Sequence, residues 1–146
     1  MPYLKVFIHF VWTTKDRLPL LRTKEIRKEV WKHIKKNAKE KGIYIDTING
    51  YSEHCHCLVS LGSGQTIERI VQLIKGESSF WINKQGLVQG KFAWQDEYYA
   101  VSVAQSGIDK VRKYIQAQEE HHKLFSFTDE YNDFIEKYGF KVFKDE

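Results

Sequence analysis

The chain has 146 residues, 42% of them hydrophobic and 14% aromatic, which suits one folded core and is too short for two full-sized domains. That composition excludes a disordered chain, and no apolar run approaches the roughly 18 to 20 residues needed to span a bilayer. The net charge is only +4 but is unevenly placed, with nine Lys or Arg against three Glu from Arg22 to Lys41, and six acids against three Lys from Asp129 to Glu146.

Residues Leu4 to Thr13, "LKVFIHFVWT", are β-branched and aromatic and predict a central first strand ended by the polar turn "TTKDRLP". No charged stretch precedes an apolar one here, so a cytoplasmic protein is expected. From Lys24 to Lys41 the apolar positions Ile26, Val30, Ile34 and Ala38 recur every four residues, a helical stripe closed by Gly42. The basic residues around this helix either contact phosphates or simply solvate its outer face.

Ile43 to Ile48 alternates as a strand, Asn49-Gly50 supplies hairpin turn chemistry, and Glu53 to Leu61 returns as the partner strand. Thr66 is placed to cap a second helix whose buried stripe is Ile67, Ile70, Val71, Ile74 and Trp81. A further strand lies in "EYYAVSVA", and a third helix runs from Gly107 to about Gln118 with Ile108, Val111 and Ile115 inward. A last helix is expected from Thr128 to Tyr138, with the final "KVFKDE" loosely held. The order βαββαβ followed by helices is the split βαβ arrangement: an α+β, ferredoxin-like antiparallel sheet with helices on one face and a C-terminal helix beyond, all in one domain over residues 1–146.

Two places could carry chemistry. In "EHCHCLVSL" the strand period of two puts His54 and His56 on one face, side chains roughly 7 Å apart, where both imidazoles could grip one ion or simply be hydrogen-bonded. Cys55 and Cys57, the chain's only cysteines, then face the opposite way with Val59, as core thiols and not as ligands or a disulfide. In "KYIQAQEEHH" Tyr114 and Gln118 lie one helical turn apart and share a face. A lone helical tyrosine is more often packing than nucleophile, and His121 and His122, two turns on, either approach the same site or, more often for such residues, pack at the helix end.

Taken together, "FIHFVWTTKDRLPLL", "HCHCLVSL", "LIKGESSFWIN" and "YYAVSVAQSGIDKVRKYIQAQEEHH" resemble, in order and spacing, the single-tyrosine His-hydrophobic-His transposases of small insertion sequences. Cys55 stands where that motif often has a bulkier apolar residue. The resemblance implies His54, His56 and Gln118 as ligands of Mg2+ or Mn2+, and Tyr114 as a nucleophile forming a 5′-phosphotyrosine with single-stranded DNA. It implies Lys15, Arg17 and Lys75 as DNA contacts, a DNA hairpin as partner, and a homodimer in which one subunit's tyrosine helix completes the other's histidine site. Arg112 and Lys113 flank the nucleophile and could also meet phosphate.

The chemistry fits the residues. A phenol ionises near pH 10 and needs a nearby cation or base to attack at neutral pH. A covalent ester conserves the energy of the broken bond, so neither a nucleotide cofactor nor a phosphate-cradling glycine loop is required. Three other readings compete: a noncatalytic ferredoxin-like module that binds nucleic acid on its sheet, a domesticated relative that processes repeated hairpins in its host, and a hydrolytic metal nuclease.

Overall fold

The computed structural model describes residues 2–123 and 126–138, and the final "KVFKDE" lies outside them. Four strands, β1 (Phe7–Thr13), β2 (Tyr44–Tyr51), β3 (His54–Ser60) and β4 (Tyr99–Val103), form one antiparallel sheet in the order β2-β3-β1-β4. Helices α1 (Lys24–Glu40) and α2 (Ile67–Gln85) follow β1 and β3, and α3 (Ile108–Gln116), α4 (Gln118–His121) and α5 (Phe127–Tyr138) follow β4. This is the expected split βαβ arrangement, with β1 and β3 in the centre.

Strand period decides what each face of the sheet becomes. Ile8, Phe10 and Trp12 of β1, with Cys55, Cys57 and Val59 of β3, point to one face, where Val30, Ile34 and Ala38 of α1 and Ile70 and Ile74 of α2 close the main core. His9 and Val11 of β1 and His54, His56 and Leu58 of β3 alternate with them, and the three C-terminal helices cover that opposite face. The central strands are therefore buried on both sides, which is why β1 reads as a nearly continuous apolar run interrupted by His9.

The helix ends follow their side chains. Thr23 and Thr66 accept the backbone N–H groups of Ile26 and Arg69 at 3.1 Å each, and Gly42 and Gly86 take the positive φ that stops α1 and α2. Trp81 and Ile67 are only partly buried, and Ser78 and Ile82 complete the inward face of α2.

The turn between β2 and β3 differs from the expectation. Asn49 and Gly50 do not turn; they remain in β2, paired with His56 and Cys55, and the chain reverses at Ser52-Glu53. Gly50 is needed for close approach, because a Cβ there would lie 2.1 Å from the carbonyl oxygen of His54. Gly50→Ala is expected to force the hairpin apart beside His54 and to cost about 1–3 kcal/mol, the usual range for overpacking. Thermal denaturation checks this: an unchanged midpoint would mean the hairpin yields without cost.

Candidate active site

His54 and His56 stand one strand period apart on β3, both essentially without solvent exposure, on the face away from the main core. In each ring the Nδ1 is held from behind and the Nε2 looks toward the C-terminal helices. Nδ1 of His54 lies 2.6 Å from the Glu53 carboxylate, and Nδ1 of His56 lies 2.9 Å from Nε2 of His9 on neighbouring β1. Such partners fix ring orientation, as second-layer groups do behind metal-binding histidines. Burial, followed by the charge of neighbouring His56, pushes the His9 imidazole down to about 3, and burial pushes His56 down to about 4, so both rings are neutral at physiological pH. Cys55 and Cys57 face the main core as free thiols, pushed well up by burial, and stand apart from the site as the strand period predicts.

The tyrosine and the glutamine arrive on the helices after β4. Ile108 and Ile115 pack on Leu58, which lays α3 along the histidine face. The helix breaks at Ala117 (φ −89°, ψ 8°), so the single helix expected from 107 to 118 is two pieces, α3 and α4. Even so, Tyr114 and Gln118 still converge: the Tyr114 hydroxyl and the Gln118 Nε2 both donate to Oε2 of Glu130, the latter at 3.0 Å. The Gln118 Oε1 sits 2.8 Å from His54 Nε2, and the Tyr114 ring packs edge-on to His56 with centroids 5.5 Å apart. These contacts are made within one chain.

α4 is tied down by a buried ion pair. Arg27 of α1 meets Glu119 through two bonds of 2.7 and 2.9 Å, donates to the Leu21 carbonyl at 2.7 Å, and lies over the Tyr51 ring. This bidentate geometry holds the residue next to Gln118 in place.

Sequence reasoning missed Glu130, His9 and Glu53, and left His121 and His122 between the site and helix-end packing, with packing favoured. Glu130 of α5 is 5% exposed, with Oε1 2.9 Å from His56 Nε2 and 3.4 Å from His54 Nε2. Nε2 of His122 and of His121 approach its other oxygen at 3.3 and 3.5 Å, so both histidines belong to the site's wall. Burial alone would raise the Glu130 carboxyl, but the imidazoles of His122, His56 and His54 outweigh it and hold the group ionised, well below the usual carboxylate range. The position of α5 is set by Phe127 against the His54 ring (4.5 Å between centroids), a 2.6 Å bond between the Tyr131 and Tyr99 hydroxyls, and Arg17 stacked over Phe127 and Tyr131. An acid three residues into an amphipathic, acidic helix carries no sequence signal of burial; the lone polar residue of "FIHF" was the available clue to His9.

The basic residues expected to meet DNA have separate surroundings. Lys15 lies in the exposed turn after β1, and Arg17 is stacked on α5. Lys75 is half-buried under the carbonyls of Gln95, Asp96 and Glu97, and burial lowers its ammonium below the ordinary lysine range. Arg112 forms two bonds to Asp46 at 2.8 and 2.7 Å and one to Asp109 at 2.9 Å, which joins α3 to β2. Beside Tyr114 lies a cavity of about 390 Å³ lined by His9, Val111, His121 and Glu130, with Lys110 and Lys137 also on its wall.

The donor set suits a divalent cation. Both nitrogens of His54 face acceptors, Glu53 on one side and the Gln118 and Glu130 oxygens on the other, an arrangement that calls for positive charge at Nε2. One ligand atom from each of His54, His56 and Glu130 falls within 4.8 Å of the others, close enough to share one ion.

Comparison with known proteins agrees with this fold. The family model described as "Transposase IS200 like" matches residues 3–118. The fold is similar to a candidate transposase from Deinococcus radiodurans R1, with a TM-score of 0.64 and 21% identity over 80% of this chain and 93% of that one. It is also similar to a REP-associated tyrosine transposase bound to a REP hairpin, with a TM-score of 0.60 and 19% identity over 84% of this chain and 72% of that one. No curated protein matches the chain. Among the described residues no helix is long and apolar enough to cross a membrane.

Proposed function

The chain belongs to the IS200-like transposase family, and from that premise we propose that it cuts and rejoins single-stranded DNA through a covalent bond to Tyr114. The observation that carries this reading is the convergence, within one chain, of the Tyr114 hydroxyl, the Gln118 amide and the Nε2 atoms of His54 and His56 on one buried point. His54, His56 and Gln118 would hold Mg2+ or Mn2+, which supplies charge to polarise a phosphate and to favour departure of an oxyanion. The weak neutral set of two imidazoles and an amide suits an ion that completes its shell with water and phosphate oxygens.

In the proposed reaction the phenol oxygen of Tyr114 bonds to phosphorus as the bond from phosphorus to the 3′ oxygen breaks. The phenol loses its proton and the departing 3′ oxygen gains one. A 5′-phosphotyrosine and a free 3′ hydroxyl result, and because one ester replaces another, a 3′ hydroxyl from a second strand can reverse the step without ATP. The edge-on packing of Tyr114 against His56 keeps the nucleophile beside the ion's place, and the adjoining cavity gives the strand access to it.

DNA with a hairpin is the proposed partner, a substrate class that the hairpin-bound transposase of similar fold makes concrete. Lys15, exposed after β1, and Arg17, stacked on α5, are proposed phosphate contacts, with Lys75 and Arg112 as further ones once their carbonyl and Asp46 partners are exchanged for phosphate. A homodimer is the proposed working form, and it would here join two sites each complete in its own chain.

The test is incubation of the protein with labelled single-stranded hairpin DNA and Mg2+ or Mn2+, followed by denaturing electrophoresis. A protein-DNA adduct that carries the fragment lying 3′ of the break, followed by a label on that fragment's 3′ end, and that does not form in EDTA is the expected outcome. Release of free 5′ phosphate without an adduct would instead establish a hydrolytic nuclease.

A further inference from the structure

We propose that Glu130 is a ligand of the divalent ion, so that α5 completes the metal centre from the same chain; this rests on the metal-dependent reading above. The carboxylate is buried, and its described polar neighbours are the side chains of that centre. Oε1 faces His56 Nε2 at 2.9 Å and His54 Nε2 at 3.4 Å. Oε2 accepts from Tyr114 and from Gln118, and His121 and His122 approach it at 3.5 and 3.3 Å.

Spacing supports ligation. An ion with bonds of about 2.1 Å and right-angled geometry places adjacent ligand atoms about 3 Å apart. The separations between His54 Nε2 and Gln118 Oε1 (2.8 Å), His56 Nε2 and Glu130 Oε1 (2.9 Å), and His54 Nε2 and Glu130 Oε1 (3.4 Å) bracket that value. Protons bridge these pairs when no ion is bound, and an ion replaces protons at the same spacing.

Charge supports it too. Two imidazoles and an amide leave a dication uncompensated in a buried site, and one carboxylate halves that charge and raises affinity. The resulting set of two histidines and a carboxylate, with an amide oxygen, favours Mn2+ or Fe2+ over Mg2+, which prefers oxygen ligands. Glu130 is thereby also a positioning group for Tyr114, since the same carboxylate reaches both the nucleophile and the metal-facing histidine.

The opposite role is a plug: a carboxylate that neutralises the histidines and must leave before an ion enters. The two differ in sign. Mn2+ binding to the full chain is measured by titration calorimetry for wild type, Glu130→Gln and His54→Ala, with circular dichroism to check folding. Ligation predicts that Glu130→Gln weakens Mn2+ binding at least tenfold and that His54→Ala does so as well. Equal or tighter binding in Glu130→Gln, with His54→Ala still weakened, overturns the ligand assignment and leaves the histidine site standing. No Mn2+ uptake by the wild type overturns both. Should Glu130→Gln fail to fold, Glu130→Asp decides the question: its shorter carboxylate weakens binding if Glu130 is a ligand, and unchanged or tighter binding refutes it.

Discussion

Tyr114→Phe is expected to abolish the covalent adduct and to lower strand cleavage by roughly a thousandfold or more, the scale on which loss of an enzyme nucleophile is felt. The substitution removes one oxygen and little else. The ring keeps its edge-on contacts with His56, His9 and His121, and the hydroxyl's bond to Glu130 is the interaction lost. Glu130 retains His56 and Gln118, so no buried charge is stranded, and the stability change should stay near the net worth of one hydrogen bond to a charged group, about 1.5–3 kcal/mol. Folding, Mn2+ binding and hairpin binding should therefore survive while chemistry disappears. Cleavage that persists in the variant would mean that water is the nucleophile, and loss of hairpin binding would mean that the phenol reads DNA instead of attacking it.

The sequence carried the parts of this site that depend on local periodicity. A period of two separates His54 and His56 from Cys55 and Cys57 as soon as the strand is identified, and the outcome in space, imidazoles to the helices and thiols to the core, follows from the pleat. Thr66 and Gly86 mark the ends of α2 because capping is decided within one turn of helix. Gly50 shows the limit of such reasoning. Asn-Gly is a strong turn signal, yet here the glycine serves a cross-strand approach that only the paired strand reveals. Glu130 was illegible for a stronger reason. It lies twelve residues beyond Gln118 on a helix whose pattern is that of a solvated amphipathic segment, and its burial depends on α5 docking, through its own Phe127 and Tyr131, on His54, Tyr99 and Arg17 from distant parts of the chain. The pairing of Arg112 with Asp46 was illegible in the same way, since nothing local to α3 announces a carboxylate on β2.

Acidification is expected to destabilise the metal-free protein steeply, beginning above the range in which carboxylates titrate. In the unfolded chain the His9 and His56 imidazoles take up protons as pH falls through about 6.5. In the folded chain burial resists that uptake until about 3 for His9 and about 4 for His56. Between 6.5 and 4 the unfolded state therefore binds more protons, and stability falls as pH falls, by about 1.4 kcal/mol per pH unit for each fully shifted ring. Glu130 acts in the same direction but lower. Its folded carboxyl is held below the ordinary range, so its contribution is present above about pH 4.5 and is lost on further acidification. Denaturant midpoints in EDTA at pH 7, 6, 5 and 4.5 should therefore drop progressively, by several kcal/mol in all, with the first loss already visible at pH 6. His9→Phe removes one of the two rings and should roughly halve the slope between pH 6.5 and 5, because His56 then titrates alone. A wild-type midpoint that stays flat from pH 7 to 5 would show that the imidazoles accept protons in the folded state, and hence that the oxygens of Glu53, Gln118 and Glu130 already make this a site for positive charge strong enough to offset its burial.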